Sequence, residues 1–307
     1  MHIEFLKTFV IAADCMSFTR ASESLRISQP AVSMQIRDLE VYLGTELFER
    51  HGRLLALTPA GERFKIRAAR LINDLAIARD EALELTGQAG GHLRVGATDT
   101  LGNYHLPQLM GTFLSESPHL RTSVQIADES QLSRLLVEGS LDACFWEGNV
   151  PDRLRATVDC LHLGEDRIVL LVGKKHPLFE TSAITLRELT DTSVVLRMPD
   201  ASIRQHVERA LNIAGFPPES LDLQLEISQT EALKRVLISM PILGFASRLA
   251  IKDELRTGTL REIALPEVDL ARQLWLLTPA DGPKPLRVRI FRAFVEAASQ
   301  KQGPLSP

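Results

Sequence analysis

The stretch that decides the fold runs from residue 17 to residue 44, SFTRASESLRISQPAVSMQIRDLEVYLG. Ser28 precedes Gln29-Pro30-Ala31-Val32, which places a capping hydroxyl before a helix and a proline inside its first turn. Val32, Ile36, Leu39 and Leu43 then recur at steps of three and four, and Gly44 supplies the residue that ends the helix. Upstream, Ser17 or Thr19 can cap a short helix in which Ala21, Ser24 and Leu25 permit close packing. Arg26-Ile27 leaves room for no more than a tight turn between the two. Earlier still, Ile3, Leu6, Phe9, Val10 and Ala13 mark an amphipathic helix ending near Asp14. Helix, short helix, brief turn and longer helix is the helix-turn-helix plan, in which the last helix offers polar side chains to the major groove. Gln29, Ser33, Met34 and Arg37 lie opposite Val32 and Ile36. Glutamine pairs bidentately with adenine, arginine with guanine, and serine with either base or a phosphate. On pattern alone, a plain three-helix bundle with a solvated polar face is the alternative.

The wording of the segment narrows this. Ser17-Phe18-Thr19-Arg20-Ala21, Ile27-Ser28-Gln29-Pro30-Ala31-Val32-Ser33 and Leu39-Glu40 resemble the signature of the LysR-type transcriptional regulators. So do Leu47-Phe48-Glu49-Arg50, Arg53 and Leu57-Thr58-Pro59-Ala60-Gly61, in the same order and spacing. The resemblance implies a winged helix-turn-helix over residues 1–58, with its wing near Arg50–Leu55. Arg50 and Arg53 would touch phosphate or the adjoining minor groove, and Thr19 and Pro30 join Gln29, Ser33, Met34 and Arg37 as candidate DNA contacts. Met34 stands where many relatives carry arginine, which shifts the expected contact toward an apolar one such as a thymine methyl. Ser28–Glu40 also resembles the recognition helices of regulators of carbon-fixation operons, over a stretch too short to name a target.

Residues 59–90 read as a linker helix and hinge. Phe64, Ala68, Leu71, Leu75, Ala78, Ala82 and Leu85 recur at alternating steps of four and three, an a/d seam sustained over three heptads. A single helix cannot bury such a seam against itself, so a second copy is the expected partner. The alternative is a helix lying on its own domain. Three alanines make the seam close and thin. Two recognition helices related by a two-fold axis would read an inverted repeat of double-stranded DNA. Gln88-Ala89-Gly90-Gly91 then breaks the helix.

Beyond Gly91 strands alternate with helices. His92–Ala97, Thr122–Ala127, Leu141–Trp146, Ile168–Val172 and Ser193–Leu196 read as strands. Helices are expected at Tyr104–Ser115, Gln131–Glu138, Ser202–Ala214 and Glu231–Ser239. This alternation implies a mainly parallel α/β sheet with helices on both faces. Leu93–Ala97, Leu141-Asp142, Leu171-Val172, His176-Pro177-Leu178 and Gly244–Arg248 resemble the LysR effector domain, which is similar to periplasmic solute-binding proteins. The resemblance implies two lobes, one from 91–162 plus 269–307 and one from 163–268. Ligands of open α/β sheets bind at the carboxyl ends of the strands, where helix N-termini supply donors. That rule selects Thr98, Asp99, Thr100 and Ser130 in one lobe, with Arg197, Ser202 and, more weakly, Thr230 in the other. Hydroxyls and amides there suit a small anion, which Arg197 or Arg204 would pair with. Asp99 would repel an anion unless it points away or binds a ligand hydroxyl. Ile203 stands where relatives often place a cleft-facing threonine, and Met240-Pro241-Ile242 replaces a glycine-containing turn.

Composition fits this reading and excludes others. Hydrophobic residues make up 45% and charged residues 24%, so the chain is neither disordered nor fibrous. Net charge is −4, and residues 1–58 carry six basic residues (Lys7, Arg20, Arg26, Arg37, Arg50, Arg53) against seven acids. DNA binding must therefore come from placement rather than from bulk charge. The sequence shows no GxSxG, HExxH or phosphate-binding glycine loop, so an enzyme is not expected. Cys15, Cys144 and Cys160 are odd in number and far apart, which argues against disulfides or a metal site. No signal segment and no membrane span is apparent. The expectation is a cytoplasmic homodimer or homotetramer, without a cofactor, that answers to a small-molecule effector and has RNA polymerase as a further potential partner. A free solute-binding protein would leave the first ninety residues unexplained.

Overall fold

The computed structural model describes residues 2–51, 54–84, 91–280 and 284–301. The first three helices are α1 (Ile3–Cys15), α2 (Phe18–Leu25) and α3 (Gln29–Leu43). Ser17 accepts from the Arg20 amide to cap α2, and Ser28 accepts from the Ala31 amide to cap α3. Arg26 (φ 56°) and Gly44 (φ 68°) adopt the left-handed conformation at the ends of α2 and α3, as the turn and stop signals require. A hairpin follows, β1 (Phe48–His51) antiparallel to β2 (Leu54–Leu57). This is the wing, joined by Thr58 to the long helix α4 (Pro59–Glu84).

Leu6, Phe9, Val32, Ile36, Leu39, Leu47 and Phe48 form the core of this N-terminal unit. Phe9, Phe18 and Phe48 meet edge to face inside it. The Glu40 carboxylate accepts both the Leu47 and Phe48 amides, at 2.8 and 3.2 Å, and so ties α3 to the root of the wing. Gly61 is required by space rather than by φ, since a Cβ there would lie 2.1 Å from the Leu47 carbonyl oxygen.

The remaining chain runs β3 (His92–Ala97), a π-helical turn Leu101–His105, α5 (Leu106–Glu116), β4 (Arg121–Ile126), α6 (Glu129–Val137), β5 (Ala143–Glu147), α7 (Asp152–Arg155) and β6 (Val158–Gly173). It continues α8 (Leu186–Thr190), β7 (Ser193–Arg197), α9 (Ser202–Ile213), β8 (Asp222–Ile227), α10 (Thr230–Ser239) and β9 (Leu243–Ser247). It closes with α11 (Lys252–Thr257), β10 (Leu260–Ile263), β11 (Ala271–Pro279) and α12 (Leu286–Lys301). The strand order is β4-β3-β5-β11-β6-β9-β7-β8, with β10 also on β6.

Two expectations need correction. Ile168–Val172, read as a strand of its own, is the far half of the continuous β6. Residues 158–167 of β6 pair with β11, whereas Ile168–Val172 pair with β9. The strand thus passes from one lobe into the other, and its partners change between Arg167 and Ile168. Nor is the sheet mainly parallel. The outer pairs β3–β4, β3–β5, β7–β8 and β7–β9 are parallel, but β11 and β6 run antiparallel to their neighbours. A strand that serves both lobes must be met by a returning one, which imposes opposite directions at the centre.

Each lobe packs an apolar cluster on either face of its sheet. In the second lobe Ile168, Leu170 and Val172 enter one cluster while Val169 and Leu171 enter the other. Burial on both faces is why these strands read as unbroken apolar runs without alternation. The linker helix rests on the first lobe, where Arg70 Nε donates to the Val137 carbonyl at 2.9 Å and Arg94 donates to Asn73 at 2.6 Å.

Candidate DNA interface and effector cleft

The exposed face of α3 is polar at its start. Gln29, Pro30, Met34 and Arg37 are exposed, Ser33 is half-buried, and Thr19 is exposed at the first turn of α2. Gln29 Nε2 donates to Ser33 Oγ at 2.9 Å, which holds both side chains on the outer surface. The inner surface of α3 is fixed from below by Val32, Ile36 and Leu39, and the buried Thr8 donates to Gln35. Arg50 lies on β1 of the wing, while Arg53 lies outside the described residues.

The linker seam divides in two. Phe64 and Ala68 pack into the core of their own N-terminal unit, which corrects their assignment to an intermolecular contact. The first turns of α4 are needed to close that core. From there the seam emerges, with Leu71 and Leu75 49% and 52% exposed and Ala78 and Ala82 also exposed. Leu85 lies outside the described residues.

Between the lobes the strand ends bring charged groups together. At the floor Arg272 is fully buried and pairs with Glu147 at 2.5 Å and with Asp166 at 2.8 Å. Thr98 Oγ donates to Glu147 at 2.6 Å, and Arg272 donates to Thr100 Oγ at 3.1 Å. Ser247, from the second lobe, donates to Asp166 at 2.8 Å. On one side of the cleft Arg197 donates to Asp99 at 2.8 Å, to Thr230 Oγ, and to the Ser228 carbonyl at 2.7 Å. Nearby, the Tyr104 hydroxyl donates to Glu231 at 2.6 Å, again from the first lobe to the second. On the other side Ser202, at the start of α9, lies near Glu129, at the start of α6. Burial raises the Glu129 pKa, partly offset by the nearby Ser202 hydroxyl and the charges of Arg209 and Arg272. Burial, with the charges of Arg272 and Arg209, lowers the His206 pKa to about 4.

Residues 3–62 match the bacterial regulatory helix-turn-helix protein, lysR family, and residues 86–300 match the LysR substrate binding domain. The chain belongs to the LysR family. It is therefore a DNA-binding transcriptional regulator of LysR type. A relative from Cyanidioschyzon merolae, described as a probable RuBisCO transcriptional regulator, is 32% identical over 85% of this chain and 86% of its own. Full-length OxyR from Pseudomonas aeruginosa, solved as a cysteine-to-aspartate variant, has a similar fold. Its TM-score is 0.72 at 23% identity over 96% of this chain and 95% of that one. Full-length CbnR complexed with its target DNA gives 0.65 at 18% identity over 97% and 100%. The regulatory domain of CcmR from Synechocystis PCC6803, in complex with 2-PG, gives 0.61 at 18% identity over 69% of this chain and 98% of that one.

The strand-end rule selected seven cleft residues, and the structure gathers them unevenly. Thr98 and Thr100 are buried and engaged by Glu147 and Arg272, so they brace the floor. Ser130 is exposed at the start of α6 and donates to the helix-capping Asp128 at 2.6 Å. Ser202 opens α9 across the cleft. Asp99, Arg197 and Thr230 form one cluster. Arg204, offered as an alternative anion partner, is held by Glu208, Glu226 and the Arg197 carbonyl instead. Ile203 points into the second lobe's core and not into the cleft. Sequence reasoning missed Glu147, Asp166 and Arg272. The available signal was a charged residue inside an apolar run, as in Ala143-Cys144-Phe145-Trp146-Glu147 and Arg272-Gln273-Leu274-Trp275-Leu276. Among the cysteines, Cys144 is buried and free, and Cys15 and Cys160 are half-buried and free. Among the described residues no helix is long and apolar enough to cross a membrane.

Proposed function

We propose that this LysR regulator works as a dimer, or a tetramer of two dimers, whose paired α3 helices read the two halves of an inverted-repeat promoter site. The observation that carries this reading is the outward surface of exposed Gln29, Met34 and Arg37 and half-buried Ser33 on a helix fixed from below. The wing lies beside it, and an exposed Leu71–Ala82 seam is available to a second copy. Met34 favours an apolar base contact within the site. A small anionic metabolite enters between the lobes, with the cluster of Asp99, Arg197 and Thr230 on one side, Ser202 on the other and Ser130 at the rim. It changes subunit arrangement to the extent that its affinity differs between arrangements. Altered DNA bending or half-site spacing then changes recruitment of RNA polymerase. No cofactor enters this scheme. A fold relative is seen with 2-PG, which supports a small metabolite as the class of ligand.

Competition binding against scrambled DNA tests the first half. Gln29→Ala or Arg37→Ala should each lose about 1–3 kcal/mol of base discrimination, and unchanged specificity in both would refute the assignment. Thermal shifts of the full chain against cytoplasmic metabolites and inorganic anions test the second half. A ligand at one hundred times its dissociation constant should add about 2.7 kcal/mol, and the gain should vanish in Ser202→Ala.

A further inference from the structure

The two buried arginines of the cleft differ in what balances them. Arg272 pairs with Glu147 and Asp166, whose side chains are 2% and 0% exposed. Those carboxylates are sealed beside the cation, and removing either would strand a buried charge. Arg197 is 8% exposed, yet its partner Asp99 is 42% exposed. A carboxylate with nearly half its surface in water gives up an ion pair at little cost, because water takes the place of its partner. Arg197 is thus the cleft cation with an exchangeable counter-charge.

The geometry of the exchange is also set. Asp99 follows β3 in the first lobe, while Arg197 ends β7 and Thr230 opens α10 in the second. One Asp99 oxygen receives Arg197 Nη1 at 2.8 Å and Thr230 Oγ at 3.1 Å. The buried Nε of Arg197 has no hydrogen-bond partner among the described residues. A guanidinium edge beside a hydroxyl at a helix start is the donor set that holds a carboxylate or a phosphoryl group of a small molecule. In this structure the chain's own carboxylate fills it, from across the cleft.

We propose that Asp99 is an internal counter-anion that competes with the effector's acid group for Arg197 and Thr230, and so sets the affinity of the cleft for anions. The inference rests on the cleft being the site of an anionic effector. An incoming acid must displace Asp99, and its apparent affinity is reduced by the fraction of molecules in which Arg197 is already taken. An acid with two oxygens, one for Arg197 Nη1 and one for the Thr230 hydroxyl, gains most against a carboxylate that meets both through a single oxygen. Displacement also removes two hydrogen bonds between the lobes and so links ligand entry to lobe position. Asp99 then selects for strong or bidentate acids and against weak, singly bonded ones.

The test uses the full chain and two probes, inorganic phosphate and sulfate, titrated calorimetrically with ionic strength held constant by chloride. D99N keeps the size of the side chain and an acceptor oxygen but removes the charge. It should bind phosphate about tenfold or more tightly than the unmutated chain if Arg197 is occupied in roughly nine molecules of ten. R197Q and the D99N/R197Q double variant should both lose binding, to the same extent. Equal or weaker binding to D99N than to the unmutated chain overturns the proposal. So does the absence of binding to every variant, because an unmasked Arg197–Thr230 socket must hold an oxyanion. If R197Q loses binding while D99N is unchanged, competition fails but the cleft remains the effector site. If phosphate binding ignores R197Q altogether, both fall.

Discussion

Replacing Glu40 by alanine should loosen the wing from the recognition helix without touching DNA directly. Glu40 lies on α3, and one carboxylate oxygen accepts the Leu47 amide at 2.8 Å and the Phe48 amide at 3.2 Å. A hydrogen bond to a charged group contributes about 1.5–3 kcal/mol, and the longer of this pair belongs at the low end. Glu40 is half-buried, so water can replace part of what is lost. The expected cost to the local structure is about 2–4 kcal/mol. Tryptophan fluorescence will not report it, because Trp146 and Trp275 both lie in the first lobe of the sensing half. Hydrogen exchange by mass spectrometry on peptides spanning Leu47 and Phe48 will. At about 1.4 kcal/mol per factor of ten, protection there should fall by roughly thirty- to several-hundred-fold. Glu40→Gln keeps an uncharged acceptor and should lose about half as much. DNA affinity should fall for specific and scrambled sequences alike, since the wing positions the protein and α3 specifies the bases. Unchanged protection at Leu47 and Phe48 in Glu40→Ala would refute the reasoning.

Three further outcomes follow from the geometry. In Leu71→Glu/Leu75→Glu the exposed seam carries charge, so sedimentation should show a smaller species. Affinity for a two-half-site DNA should drop by about one hundred- to ten-thousand-fold, because the second site no longer binds intramolecularly. His206 is held neutral in the fold, with its pKa lowered to about 4. Between about pH 6.5 and 4 the unfolded chain takes up that proton first, so stability declines as pH falls through this window. Thermal melts of His206→Asn should show a weaker decline. Asp142 lies under Arg94 and Arg287, at 2.9 and 3.2 Å. Burial works to raise its pKa, but the bonds and charges of those arginines outweigh burial and hold the carboxyl below its usual range. Its contribution is present above the unfolded carboxylate pKa of about 3.9 and is lost as pH falls through the lower folded value. Asp142→Asn should be destabilised at neutral pH and show a flatter acid limb in the same melts.

What the sequence determined by itself was local. Ser17, Ser28, Arg26 and Gly44 set the ends of α2 and α3, because caps and turns are satisfied within a few residues of the chain. The outward face of α3 was legible for the same reason, since a helix of known phase has a known outer face. His92–Ala97 and Ser193–Leu196 were legible as strands of a parallel sheet, but the antiparallel directions of β6 and β11 were not. Tertiary structure alone decided the rest. Whether Phe64 packs inward or across a dimer depends on where α1 and α3 leave a gap, and helical spacing is identical in both cases. That Ile168–Val172 continues a strand begun at Val158 depends on β11 returning from residue 271, over a hundred positions later. The strand-end rule selected residues that the structure brings together between the lobes, yet their hydroxyls could not be sorted into floor and rim from sequence. Thr98 and Thr100 are claimed by Glu147 and Arg272, and Asp99 by Arg197, through contacts 49, 172 and 98 residues apart in the chain. A buried charge finds its partner through space, and no periodicity in the chain records which partner that is.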